Sequence, residues 1–232
     1  MDADLAYLTQ NARLFRAVLD FNRFYQPPEF GLAGAEAQTT RLRTALAANP
    51  RAWRRFAGEH TDVWCFAAAA NRLALLPLEV LERLAGYWNA VVLAEVLART
   101  VDGARLQQIK AVIGADAFQY AVRQGRFQLG SLRQDWLPAE AERLSERALQ
   151  APGQKLIQLC LGLWPEALRR AWQNRWRSAP WVESFALSAP LAAAEKNQVH
   201  QVHQVLWQKT WPHVEKLLLT EVAPQWQPCF SS

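Results

Sequence analysis

Apolar side chains recur at three- and four-residue spacing along most of this chain, and prolines and glycines punctuate the pattern. The clearest instance follows Pro77. Leu78, Leu81, Leu84, Ala85, Trp88, Val91 and Val92 make one stripe, and Tyr87, Leu93 and Leu97 widen it. That recurrence matches the turn of an α-helix, and so broad a face implies a central helix buried on most sides. No Asn-Gly or Asp-Gly pair lies between alternating segments, since Asp102-Gly103 sits between two helical patterns. The expected fold is all-α: a single multi-helix domain over residues 1–232, with a long, kinked C-terminal helix and a possible hinge near 127–135.

The flanking segments give the other elements. Leu5, Leu8, Ala12, Phe15 and Leu19 fall at helical spacing behind a capping Asp4, and Pro27-Pro28 ends that helix. After a Gly31–Gly34 loop, a helix is expected over 36–48. Asn49-Pro50 restarts the chain, with proline at the first helical position. Thr61-Asp62 begins a helix through Trp64, Ala68 and Leu75. Asp102 caps a helix that Gly114 ends, and a helix over 116–124 stops at Gly125. Pro138 opens an exposed helix with Leu137, Ala141, Leu144 and Ala148 on its apolar edge. Short helices follow over 154–163 and from Pro165 to Arg177. Pro190 begins the long helix, which Pro212 must kink or interrupt because proline removes a helical hydrogen bond.

Half of the 232 residues are apolar (51%) and a fifth are charged (20%), which excludes a disordered or collagen-like chain. Charges or Asn interrupt every hydrophobic stretch before it reaches spanning length, so no membrane insertion is expected. The acidic start at Asp2 and Asp4 lacks the basic region of a secretory signal, and a cytosolic protein is expected. Cys65, Cys160 and Cys229 are odd in number and far apart, a pattern for reduced, buried thiols.

Nucleotide-binding glycine loops, the Gly-x-Ser-x-Gly elbow and His-Glu-x-x-His are all absent. His200 and His203, three apart on a helix, have ligand spacing but neither a carboxylate nor a cysteine beside them, and His203 shares its face with Val199, Val202 and Leu206. They read as packed or rim histidines. His60 beside Glu59 reads as helix-start chemistry, and His213 as a surface residue. Glu140, Glu142 and Glu146 lie among arginines and read as a solvated, salt-bridged face. No enzyme activity, metal or cofactor is expected.

The formal charge is +5, too even to demand a nucleic-acid partner, but 21 of the 26 basic residues are Arg and there are 11 Trp. Both residue types are enriched in protein interfaces. They converge at 169–177, where Arg169, Arg170, Trp172, Arg175, Trp176 and Arg177 occur with no acid among them. Trp172 and Trp176 share a helical face. They can be core anchors with arginines snorkelling around them, contacts on a partner-binding face, or platforms for bases.

The order of elements resembles the SctK family of type III secretion systems. The residues that carry the likeness are the Leu-rich run at Asn71, Arg72, Leu73, Ala74 and Leu75, then Glu82-Arg83-Leu84, the Ile113-Gly114 break after Leu106, and the short helix from Ala121 to a second glycine, Gly125. Phe21-Asn22 followed by Pro27-Pro28 is similar to the family's opening, and Leu217 to Leu219 lie where the family also ends helically. The resemblance implies a cytoplasmic, non-enzymatic adaptor, held at the inner membrane through the secretion apparatus. Its partners would be the forkhead-associated-like cytoplasmic domain of the inner-membrane ring protein and the pod protein of the sorting platform. The alternative is a helical nucleic-acid-binding protein that uses the 169–177 patch.

Overall fold

The computed structural model describes residues 8, 10–23, 65–176 and 193–230. Expectations at Asp4 and Leu5, at 24–64 (including His60) and at 177–192 (including Arg177 and Pro190) lie outside these residues. No strand occurs among the described residues, and the fold is all-α as the periodicity predicts. The chain divides into two units, one from Met1–Leu75 with Trp164–Ala189, the other from Leu76–Leu163 with Pro190–Ser232. The 127–135 stretch falls inside the second.

In the first unit, α1 (Ala12–Arg23) starts where the Asn11 side chain accepts from the Leu14 N–H at 3.0 Å. Its buried stripe is Leu14, Val18 and Phe21, whereas Ala12 is exposed and Phe15 and Leu19 are half-buried. The face is thus rotated from the expected one. Phe21 sets it by meeting Phe66 edge-on, ring centroids 5.6 Å apart.

The segment expected to run helically through Ala68 is instead non-helical from Cys65 to Ala68. Only a short α2 (Ala69–Arg72) and a 3₁₀ turn (Leu73–Leu75) follow. Two buried polar side chains hold the non-helical carbonyls. Arg72 donates from Nε to Phe66 O at 3.0 Å and from Nη2 to Ala67 O at 2.8 Å, and Asn71 donates to Cys65 O. Side chains satisfy what a helix would otherwise pair, so the break costs little.

The second unit is built on α3 (Leu78–Val92), the predicted central helix, with Pro77 as its N-cap residue. Leu81, Leu84, Trp88, Val91 and Val92 are buried as expected. A turn at Leu93 leads to α4 (Ala94–Arg99). The Asp102 carboxylate accepts from the Ala104 N–H at 3.0 Å and caps α5 (Gly103–Ile113). Gly114, at φ 92°, ends it in a conformation that favours glycine. Then come α6 (Ala115–Arg123), a 3₁₀ turn (Gly125–Phe127) and α7 (Leu132–Trp136).

The helix expected from Pro138 is not formed. A 3₁₀ turn (Ala141–Arg143) ends at Leu144 in the left-handed region, φ 45°, and Ser145 starts a new helix by accepting from the Ala148 N–H at 3.3 Å. That helix, α8 (Glu146–Leu163), runs through Pro152 and joins what the sequence divides into two.

Trp88 and Trp136 meet edge-to-face at 5.0 Å in this core, and Lys155 lies 5.2 Å over the Trp136 ring. Returning to the first unit, α9 (Glu166–Arg175) follows Pro165. The long helix, α10 (Ala193–Leu217, 25 residues), passes through Pro212 without interruption. It ends in a π turn (Leu218–Val222), a 3₁₀ turn (Pro224–Trp226) and α11 (Gln227–Phe230). Arg83 of α3 donates to Val222 O at 3.3 Å and holds that end in place.

Candidate partner-binding surface

Helix α9 carries the Arg- and Trp-rich run, and packing within its unit sorts the members. Trp172 is fully buried, edge-to-face with Trp164 at 5.5 Å. Trp164 is itself fixed by its Nε1–H, which donates to Ala70 O at 2.8 Å. Of the arrangements open to Trp172, the interior is the one it adopts. Trp176 is the half-buried C-cap residue, with its indole nitrogen buried and unpaired among the described residues.

Arg175 lies 4.8 Å from the Trp176 ring centroid and 5.5 Å from that of Phe21. Burial pushes its pKa below the usual arginine value, and Asp20 on α1 acts in the opposite direction. This guanidinium is built into the unit by aromatic stacking.

Arg170 is exposed and pairs with Glu166 one turn earlier, an acid just outside the 169–177 window. Arg169 is half-buried. Glu166 in the first turn and Arg175 in the last also suit the helix dipole. The outward charge of α9 is therefore smaller than the run suggests, and Arg169 and Arg170 carry it. Trp172 anchors the helix from within, while Arg170 lies exposed and Arg169 half-buried on its remaining surface.

The histidines divide by burial. His200 is exposed. His203 is half-buried with its ring over Gly162, where an added Cβ would lie 2.7 Å from Nδ1. Burial, and then the nearby His200, push the His203 pKa below its ordinary value; burial and Lys216 do the same to His213. Among the described residues no three His, Cys, Asp or Glu side chains are placed to hold a metal ion. Cys160 and Cys229 are buried and Cys65 is half-buried, and burial raises the Cys160 thiol pKa. Glu140 pairs with Arg143 at 3.1 Å on an exposed face, and the exposed Glu146 accepts from Gln150 at 3.3 Å.

The sequence reading missed a second surface feature, in the other unit. Phe127 is 76% exposed, and Arg126 stacks on its ring at 5.0 Å. The turn that presents the pair is held from beneath by the buried Arg133. Arg133 donates to Arg126 O at 2.8 Å and to Gly125 O at 3.3 Å, and pairs with Glu95. Gly125 fits because a Cβ there would come 3.3 Å from Val91 Cα. A lone Phe127 after Arg123-Gln124-Gly125-Arg126 gives no periodic signal from which this exposure could be read.

The family model described as YOP proteins translocation protein K (YscK) matches residues 59–216. No curated protein and no solved structure matches the chain.

Proposed function

The chain belongs to the YscK family of type III secretion proteins, and on that premise we propose that it is a non-enzymatic adaptor of the secretion apparatus. In this reading it links the cytoplasmic domain of the inner-membrane ring protein to the sorting-platform pod protein, and is needed for assembly and secretion. The observation that carries the reading is the family match across 59–216, a span that includes all of α9. The surface of α9 supports it physically. Trp172 fixes the helix from within, and Arg169 and Arg170 stand at its outer side as rim charges that speed encounter with an acidic protein. Among the described residues no helix is long and apolar enough to cross a membrane, so the apparatus itself would hold the protein at the inner membrane.

The test is a paired binding and secretion assay. Arg169→Glu/Arg170→Glu should weaken capture of the purified ring-protein domain or of the purified pod protein, and should lower secretion at normal cellular abundance. Wild-type chain that binds neither protein would end the adaptor reading.

A further inference from the structure

An adaptor joins two partners, and α9 offers one surface. We propose that the Gly125–Phe127 turn is a second docking element, one that inserts the Phe127 ring into an apolar cleft of an acidic protein partner while Arg123 and Arg126 pair with carboxylates at the cleft's rim. The inference rests on the adaptor reading for the number of partners, but its own support is local.

Three observations carry it. The first is exposure: at 76%, Phe127 is far outside the range of a packed aromatic, and a Phe side chain gains most of its free energy from burial. The second is rigidity. Arg133 spends its guanidinium on the carbonyls of Gly125 and Arg126 and on Glu95, and Gly125 lies tight against Val91. The ring is thus held outward before any partner arrives, which reduces the ordering cost of binding.

The third is charge. Arg123 and Arg126 are both exposed, and neither has an acidic partner among the described residues. Arg126 is already stacked on Phe127 at 5.0 Å. An Arg–aromatic pair of this kind, with a second exposed Arg three residues before Arg126 in the chain, has the composition of an interface hot spot. A lipid surface fits less well. One ring and two guanidiniums give neither the apolar area of an amphipathic anchor nor a polybasic patch.

The experiment titrates the full chain with the purified cytoplasmic domain of the ring protein and, separately, with the purified pod protein. Phe127→Ser and Arg126→Glu should each weaken one of the two partners by about tenfold or more. The other partner and the melting temperature should stay at wild-type values. Arg169→Glu/Arg170→Glu should spare the partner that the turn variants lose. Wild-type affinity of both turn variants for both partners would overturn the docking turn and leave the adaptor reading standing.

If the wild-type chain binds neither protein, the adaptor reading fails, and secretion by cells carrying Phe127→Ser at normal abundance decides the turn. Secretion lost supports docking there, and secretion kept overturns it. Sedimentation of the wild-type chain, but not of Phe127→Ser, with phosphatidylglycerol–phosphatidylethanolamine vesicles would assign the turn to a membrane and overturn the protein-docking proposal.

Discussion

The Asn89 side-chain oxygen of α3 accepts a hydrogen bond from the backbone N–H of Gly153 in α8 at 2.6 Å, inside the core of the second unit. Pro152 precedes it, and proline has no N–H and pushes its ring against the preceding turn. The helix still continues, because α3 supplies an acceptor where α8 is disturbed. Close approach requires the glycine: a Cβ on residue 153 would lie 2.8 Å from Ala85 O and 3.0 Å from Asn89 Oδ1.

The first prediction tests that joint. Gly153→Ala forces α3 and α8 apart and should destabilise by about 1–3 kcal/mol, the usual range for overpacking. Asn89→Ala leaves a buried N–H without its acceptor and should cost about 1–3 kcal/mol. Urea unfolding measures both, and a wild-type midpoint for Gly153→Ala would show that the helices have room to separate.

Helix α9 should separate stability from binding. Trp172→Ala empties a fully buried site against Trp164 and should cost about 3–5 kcal/mol. Arg170→Glu replaces a solvent-exposed pair with Glu166 by an exposed like-charge pair and should lower the denaturant midpoint only slightly, by about a few tenths of a kcal/mol in stability. Equal loss of stability in the two variants would contradict this division of the helix.

The support beneath the Phe127 turn should be stiffer than the turn's tip. Arg133→Ala removes the donors to Gly125 O and Arg126 O along with the partner of Glu95, and should destabilise by about 2–3 kcal/mol. Phe127→Ser should unfold at the wild-type denaturant concentration, since the ring it removes is mostly in water. Comparing the two chemical denaturation curves checks this.

Stability should fall on mild acidification. The folded-state pKa values of His203 and His213 are depressed from 6.5, so the unfolded chain binds more protons in the window just below that value. Stability rises with pH wherever the unfolded state holds the extra proton. The contribution is therefore fully present above about pH 6.5 and shrinks as pH falls through the window beneath it. His203→Gln should flatten part of that slope. A thermal-melting profile with the same slope in wild type and variant would show that His203 contributes nothing to it.

Much of the helical layout can be read locally. The α3 stripe, the Asp102 cap, Gly114 as a stop and Pro77 and Pro165 as N-caps each depend on residues within a turn of one another. The break at Cys65–Ala68 depends on polar side chains five and six residues further on, and the fusion across Pro152 on a residue of another helix. Arg72 and Asn71 reward a non-helical backbone, and Asn89 rescues a helix that Pro152 should weaken.

The candidate surfaces follow the same division. By itself the sequence determined that α9 concentrates arginine and sets Trp172 in line with Trp176, the C-cap residue one position past the helix, because spacing alone fixes angular position on a helix. Only the tertiary structure decided that Trp172 is interior, that Arg175 is embedded between Phe21 and Trp176, and that Phe127 stands out in solvent. The physical reason is that periodicity orients a side chain within its own helix. Burial is a property of the surface that helix meets, and those surfaces are brought together from distant parts of the chain.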